Sequence, residues 1–174
     1  MPRYRLLIEY QGGSFQGWQK LPGVPTIQGT LEDAAARLDG APVSVFGAGR
    51  TDSGVHATGQ VAHMDLQIDR GRKVADAMNF HLRPHPIAVL KAEEVRDDFH
   101  ARFNATQRHY RYVISNRRAD LALDRGLAWR VASKLSAEKM HEAAQALTGT
   151  HDFTTFRDSD CQALTPVKTL NAIT

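Results

Sequence analysis

Residues 46–63 place four glycines (Gly47, Gly49, Gly54, Gly59), one arginine (Arg50), one aspartate (Asp52) and two histidines (His56, His63) between two apolar runs. Val43, Val45 and Phe46 form the run before it, and Val61, Ala62, Met64 and Leu66 the run after it. That pattern reads as two strands joined by an elaborate connection. Glycines permit backbone shapes and close approaches that a side chain forbids, so the connection suits tight folding against a ligand. Loops of this kind carry function more often than packing. Arg50 and Asp52 stand two residues apart. If the loop holds them side by side, the guanidinium favours the ionised carboxylate, which then serves as nucleophile or base at neutral pH. The alternative is a solvated Arg-Thr-Asp turn.

The surrounding chain has a regular order. Tyr4, Leu6, Ile8 and Tyr10 alternate with polar or outward positions, as in a half-buried strand. Residues 11–23 form a glycine-bearing loop in which Trp18 is either a satellite core residue or a surface for stacking. Thr26 caps a helix whose Ile27, Leu31, Ala34 and Leu38 share one face, and Gly40 with Pro42 ends it. Strands at 43–46 and 60–66 flank the loop, with His63 packed or hydrogen-bonded. A second helix through Val74, Ala77, Met78, His81 and Leu82 stops near Pro84, and a strand over 87–90 or 87–92 follows. The order β-α-β-β-α-β predicts an α+β, ferredoxin-like split βαβ domain with antiparallel sheets over residues 1–103, an arrangement shared with RRM-type RNA binders. Residues 104–174 are expected to form a second, incomplete α/β domain. It comprises a strand at 108–115, an apolar run at 127–131, and a helix capped by Ser136 with Met140, Ala143, Ala144 and Leu147 on one stripe. Gly149 is its expected stop, a loop with Phe153 and Phe156 follows, and 165–174 is strand-like.

Composition narrows the function classes. With 174 residues and 42% apolar content the chain can build a core. No apolar run approaches the ~18 residues needed to span a bilayer, and the N-terminus enters a strand pattern directly, so a cytoplasmic location is expected. The single cysteine, Cys161, excludes an internal disulfide and a zinc knuckle and reads as an inert thiol. Eight scattered histidines lack ligand spacing, so no metal is expected. The net charge is only +3, yet Arg102, Arg108, Arg111, Arg117 and Arg118 crowd one segment with Phe103, His109, Tyr110 and Tyr112 between them. Cations interleaved with aromatics suit a phosphate backbone carrying stackable bases; a solvated basic face is the other reading.

The string Gly49-Arg50-Thr51-Asp52-Ser53-Gly54-Val55-His56-Ala57, followed by Gln60-Val61, resembles the active-site signature of the tRNA pseudouridine synthase A family. Tyr10 with Gly17-Trp18-Gln19, the segment Asp98-Phe99-His100-Ala101-Arg102-Phe103, the segment Arg108-His109-Tyr110-Arg111-Tyr112, and His151-Asp152-Phe153 with Phe156 agree with it. The resemblance implies isomerisation of uridine to pseudouridine at positions 38, 39 and 40 of tRNA, without a cofactor, by a homodimer. It assigns Asp52 as the nucleophile, attacking C6 of the base or C1′ of the ribose. Arg50 would keep that carboxylate ionised and fill the gap left by the flipped nucleotide, and Tyr110 would stack on the extruded uracil and assist proton transfer. Arg102, Arg108, Arg111, Trp18, Gln60 and His56 are the candidate RNA-binding residues, the last two by organising the loop; Asp98 and His100 read as structural or RNA-positioning. The family continues for a further third of its length, so a fragment is expected. Two other classes stay open: a non-catalytic RNA-binding module, degenerate or truncated, and a metal-independent hydrolase using Asp52 and His56.

Overall fold

Strand β1 (Arg3–Tyr10) turns Tyr4, Leu6, Ile8 and Tyr10 inward, each no more than 4% exposed. The period-2 pattern is therefore realised as one buried face. The computed structural model describes residues 1–67, 71–157 and 164–174; Cys161 lies outside them. Two helices cover the apolar face of β1. In α1 (Ile27–Asp39) the Thr26 hydroxyl accepts the Gly29 N–H at 3.2 Å, and Gly40 closes the other end at φ 80°, a left-handed cap that costs glycine nothing. Ile27, Leu31, Ala34, Ala35 and Leu38 face the sheet. In α2 (Val74–Leu82), Val74, Met78 and Leu82 are buried, and extended Arg83 stands before Pro84, as the steric restriction on a residue preceding proline requires. Each fully buried Leu, Ile or Met contributes roughly 1.5–3 kcal/mol, so this packing of helices on the sheet supplies the drive for the first unit.

Strands β2 (Val45–Gly47), β3 (Ala57–Asp65) and β4 (Ile87–Val95) complete a sheet in the order β2-β3-β1-β4, antiparallel at every junction. Leu6 sits between Ala62 and Ala92 in the registers of its two neighbours. The expected β-α-β-β-α-β order is met in this α+β fold. Strand β4 runs further than its apolar pattern, through Lys91 to Val95, because charge complementarity takes over from burial there. Arg5 of β1 pairs with Glu93, which Lys91 also meets at 2.5 Å; on the other side of β1, Arg3 forks onto Asp65 of β3 at 2.7 and 2.8 Å. Edge strand β2 is finished by α1 rather than by another strand. The Val45 N–H donates to Glu32 at 3.1 Å and the Val45 carbonyl accepts from Gln28 at 3.1 Å, which covers an edge otherwise open to pairing.

The described residues divide into two compact units, Met1–His109 and Tyr110–Thr174. Residues 104–109 thus group with the first unit, where the sequence reading had its boundary at 103. Two contacts hold this segment: the Asn104 N–H donates to the His100 carbonyl at 2.9 Å, and Arg108 reaches the Ala48 carbonyl at 2.8 Å. In the second unit β5 (Ile114–Asn116) pairs with β6 (Trp129–Val131) in parallel, against the expectation of antiparallel pairing throughout. Helix α3 (Ala137–Gln145) is capped as expected, the Lys139 N–H donating to Ser136 Oγ at 3.3 Å, but buries none of its residues. Gly149 opens β7 (Gly149–Asp152), antiparallel to β8 (Val167–Leu170), instead of ending the helix. The strand expected at 108–115 is present only as Ile114–Asn116. Residues 108–112 have no neighbouring strand among the described residues, and a strand without a ladder partner leaves its backbone to solvent.

Candidate active site

The connection between β2 and β3, residues 48–56, is stitched down along its length. The Ala48 N–H donates to the Val61 carbonyl at 2.8 Å, and Gln60 Nε2 donates to the Gly49 carbonyl at 2.7 Å. The Thr51 hydroxyl lies 2.9 Å from the Tyr10 phenol, and the Thr51 carbonyl accepts the Trp18 N–H at 2.9 Å. The Phe15 carbonyl accepts both the Ser53 hydroxyl and the Gly54 N–H at 3.3 Å, and His56 Nδ1 accepts the Gly12 N–H at 3.0 Å. Three glycines make this closeness possible, and at Gly12 an added Cβ would overlap the Val55 carbonyl. At Gly47 an added Cβ would stand 2.5 Å from the Trp18 ring; at Gly17, already at φ +86°, it would stand 2.7 Å from the Thr51 carbonyl oxygen.

At the outside of this bed Asp52 is exposed, and its carboxylate makes no hydrogen bond or ion pair among the described residues. Arg50 is exposed as well, and the side-by-side pairing expected of the two does not form. The peptide units flanking Arg50 are held from below by Gln60, Tyr10 and Trp18, so the backbone shape is set without the ion pair. In water such a pair is worth little in any case. The carboxylate is thus left open to solvent.

The remaining candidates separate into two groups. Trp18 is 4% exposed, wedged against Gly47 and 6.2 Å from the Tyr10 ring. It is a wall of the loop's bed, with no open face for a base, which corrects its reading as an RNA-stacking residue. His56 and Gln60 bond to the backbone of the loop and its bed, so both organise it. Arg108 places its guanidinium on the Ala48 carbonyl beside Gly49, while Arg102 and Arg111 are exposed. Tyr110, 74% exposed, and Tyr112, 89% exposed, open the second unit with their rings in solvent.

His63 is packed, as expected. It is 2% exposed, its ring stacks on Phe46 at 5.0 Å and meets His100 at 4.6 Å, and burial first, then neighbouring His100 and Arg3, push its pKa below the ordinary histidine value. The Asp98–Phe103 segment serves structure here: Asp98 pairs with Arg96 at 2.7 Å, and His100 Nδ1 accepts the Arg102 N–H at 3.2 Å. A cavity of about 460 Å³ lies in the first unit beside Ala48, floored by Leu7 and Val61 and rimmed by Arg5, Lys91 and Glu93. Among the described residues no three His, Cys, Asp or Glu side chains converge as a metal site, and no helix is long and apolar enough to cross a membrane.

Sequence reasoning missed the role of residues 10–18 as the loop's foundation. The available signal was the glycine density of residues 11–23, which marks close backbone approach as readily as it marks a turn.

The family model described as tRNA pseudouridine synthase matches residues 6–104, a span that contains the whole loop and its bed. The chain belongs to the tRNA pseudouridine synthase family. Similar proteins bear the same name: tRNA pseudouridine synthase A of Hyphomonas neptunium (strain ATCC 15444) is 73% identical over 173 residues. That of Maricaulis maris (strain MCS10) is 63% identical over 174, and that of Rhodopseudomonas palustris (strain HaA2) 59% identical over 174. Each alignment covers 99% of this chain and 70 or 71% of the relative. The identity reaches through the second unit, so the tRNA pseudouridine synthase assignment covers both units.

Proposed function

We propose that the protein is an isomerase that converts uridine to pseudouridine in tRNA, at positions 38–40 of the anticodon stem and loop, with Asp52 as nucleophile. The observation that carries this reading is the Asp52 carboxylate: exposed, unpaired among the described residues, and mounted on a loop whose backbone is fixed from beneath. In the reaction the N1–C1′ bond breaks, the uracil turns, and a C5–C1′ bond forms. N1 gains a proton and C5 loses one, so no electrons are exchanged and no cofactor is demanded. Asp52 attacks C6 of the base or C1′ of the ribose and is released intact.

Reaching either atom requires the nucleotide to leave its stack. Arg50, unpaired with Asp52, is available to occupy the space the base vacates. The Tyr110 ring is suited to stack on the uracil, its phenol to pass a proton. Arg102, Arg108 and Arg111 supply cations for the phosphate backbone. The reading includes a homodimer acting in the cytoplasm.

Incubation with tRNA carrying tritium at uridine C5 tests it. Tritium release by the protein, abolished in Asp52→Asn and Asp52→Ala while tRNA binding persists, is the expected result. Wild-type release by those variants overturns the assignment of Asp52. Salt-sensitive binding without release by the unaltered protein points to an RNA-binding module instead.

A further inference from the structure

Tyr10 is the last residue of β1 and is 4% exposed, in a core where a phenylalanine would fill the same volume. Its hydroxyl is therefore a cost unless it is used, since a buried hydroxyl without partners forfeits its hydration. It is used: it meets the Thr51 hydroxyl at 2.9 Å. On the other side of Arg50, Gln60 Nε2 donates to the Gly49 carbonyl at 2.7 Å. Thr51 and Gly49 are the two neighbours of Arg50. The buried phenol thus ties one shoulder of the residue that precedes the Thr51–Asp52 peptide, and Gln60 ties the other.

The strand register is adapted to this arrangement. β1 and β3 pair with Ile8 opposite Gln60, but Tyr10 stands opposite Ala57, one residue out of step. Such irregularities re-aim a side chain. Burial raises the pKa of Tyr10, with the polar groups of Thr51 and Gln60 opposing, so the phenol stays protonated and can donate at neutral pH.

We infer that Tyr10 is a positioning residue for the proposed reaction, its phenol setting through Thr51 where Asp52 presents its carboxylate. The inference rests on the isomerase reading for its kinetic consequence and on the hydrogen-bond geometry for its structural one.

The test is single-turnover tritium release with the protein in excess over C5-labelled tRNA. In Tyr10→Phe the rate constant falls about 10- to 100-fold, the effect of a displacement near 1 Å. The half-saturating protein concentration stays within about twofold and the end-point amplitude is full, because RNA contacts and core volume are retained. Mere destabilisation would lower the amplitude and leave the rate. The double variant Tyr10→Phe/Thr51→Val loses no more rate than the worse single, since the two act as one unit. A wild-type rate in Tyr10→Phe overturns the inference.

Should the unaltered protein release no tritium, the isomerase reading fails and amide exchange decides the positioning role. The Trp18 amide, donor to the Thr51 carbonyl, then exchanges roughly fivefold faster or more in Tyr10→Phe, while the β1 amides do not change. Unchanged exchange at Trp18 refutes it.

Discussion

Gly17→Ala isolates the contact between residues 12–18 and the Asp52 loop. Gly17 sits at φ +86°, where a non-glycine residue costs about 1–2 kcal/mol. The new methyl also meets backbone: the Thr51 carbonyl oxygen at 2.7 Å, Asp52 C at 3.2 Å and Ser53 N at 3.3 Å. An ordinary contact begins at 3.4 Å, so the Thr51 carbonyl must retreat by about 0.7 Å. Backbone of a loop bonded on both sides does not yield freely, and overpacking of this kind adds about 1–3 kcal/mol. Gly23 is the internal control. It has φ +74° but nothing within 4 Å of an added Cβ. Gly23→Ala should therefore cost only the backbone term, about 1–2 kcal/mol, and Gly17→Ala roughly 2–5 kcal/mol, both read by urea titration with unchanged slope. The kinetic contrast is sharper. A shift of most of an ångström at the peptide joining Thr51 to Asp52 should slow single-turnover tritium release by up to ~10²-fold, and Gly23→Ala should leave it unaltered. Equal rates in the two variants, or Gly17→Ala at full speed, would refute the view that the early loop sets the position of Asp52.

Two further outcomes are expected. Glu32→Ala orphans the outward N–H of Val45 and should cost about 1–3 kcal/mol in urea denaturation, whereas Glu32→Gln keeps an acceptor oxygen and should recover most of it; equal losses would dismiss the edge-capping role. His63 has its pKa lowered on folding, so below about pH 6.5 the unfolded chain takes a proton that the folded one refuses. Stability should fall as the pH drops from about 6.5 towards the lowered value, then level off. His63→Gln, which can still accept from the Ala101 N–H but does not titrate, should flatten the urea midpoint over that interval, and an unchanged slope would show that other groups carry it.

The parts legible in the sequence were those whose partners lie close along the chain or whose burial follows a simple period. Thr26, Gly40 and the Ile27–Leu38 stripe specify α1 by themselves, and the even positions of β1 announce one buried face. The outer half of β4 was less legible because Lys91, Glu93 and Glu94 carry no apolar period; its pairing rests on charges supplied by β1. Residues 108–112 fail the opposite way. They show a strand's alternation, yet without a neighbouring strand among the described residues the pattern has nothing to pair with. In the site, the loop itself was readable from its glycines and its match to a family signature. The Arg50–Asp52 pairing was not, because two exposed charges near in sequence gain too little from one another to override a backbone held by Tyr10, Trp18 and Gln60. Nor was the place of Trp18, since an indole in a glycine-rich loop fits a surface as well as a core until the glycine it packs against, Gly47, is located.

The bed beneath the loop has a consequence for how competence is lost. The ties at Thr51, His56 and Ser53 reach back 41, 44 and 38 positions to Tyr10, Gly12 and Phe15. The aspartate therefore acquires its place only after β1 has found β3 and the arc of residues 11–18 has folded over. On the proposed function, fraying of that arc alone would disarm the protein while α1, α2 and the four-stranded sheet remain intact, an inactivation silent to far-ultraviolet circular dichroism.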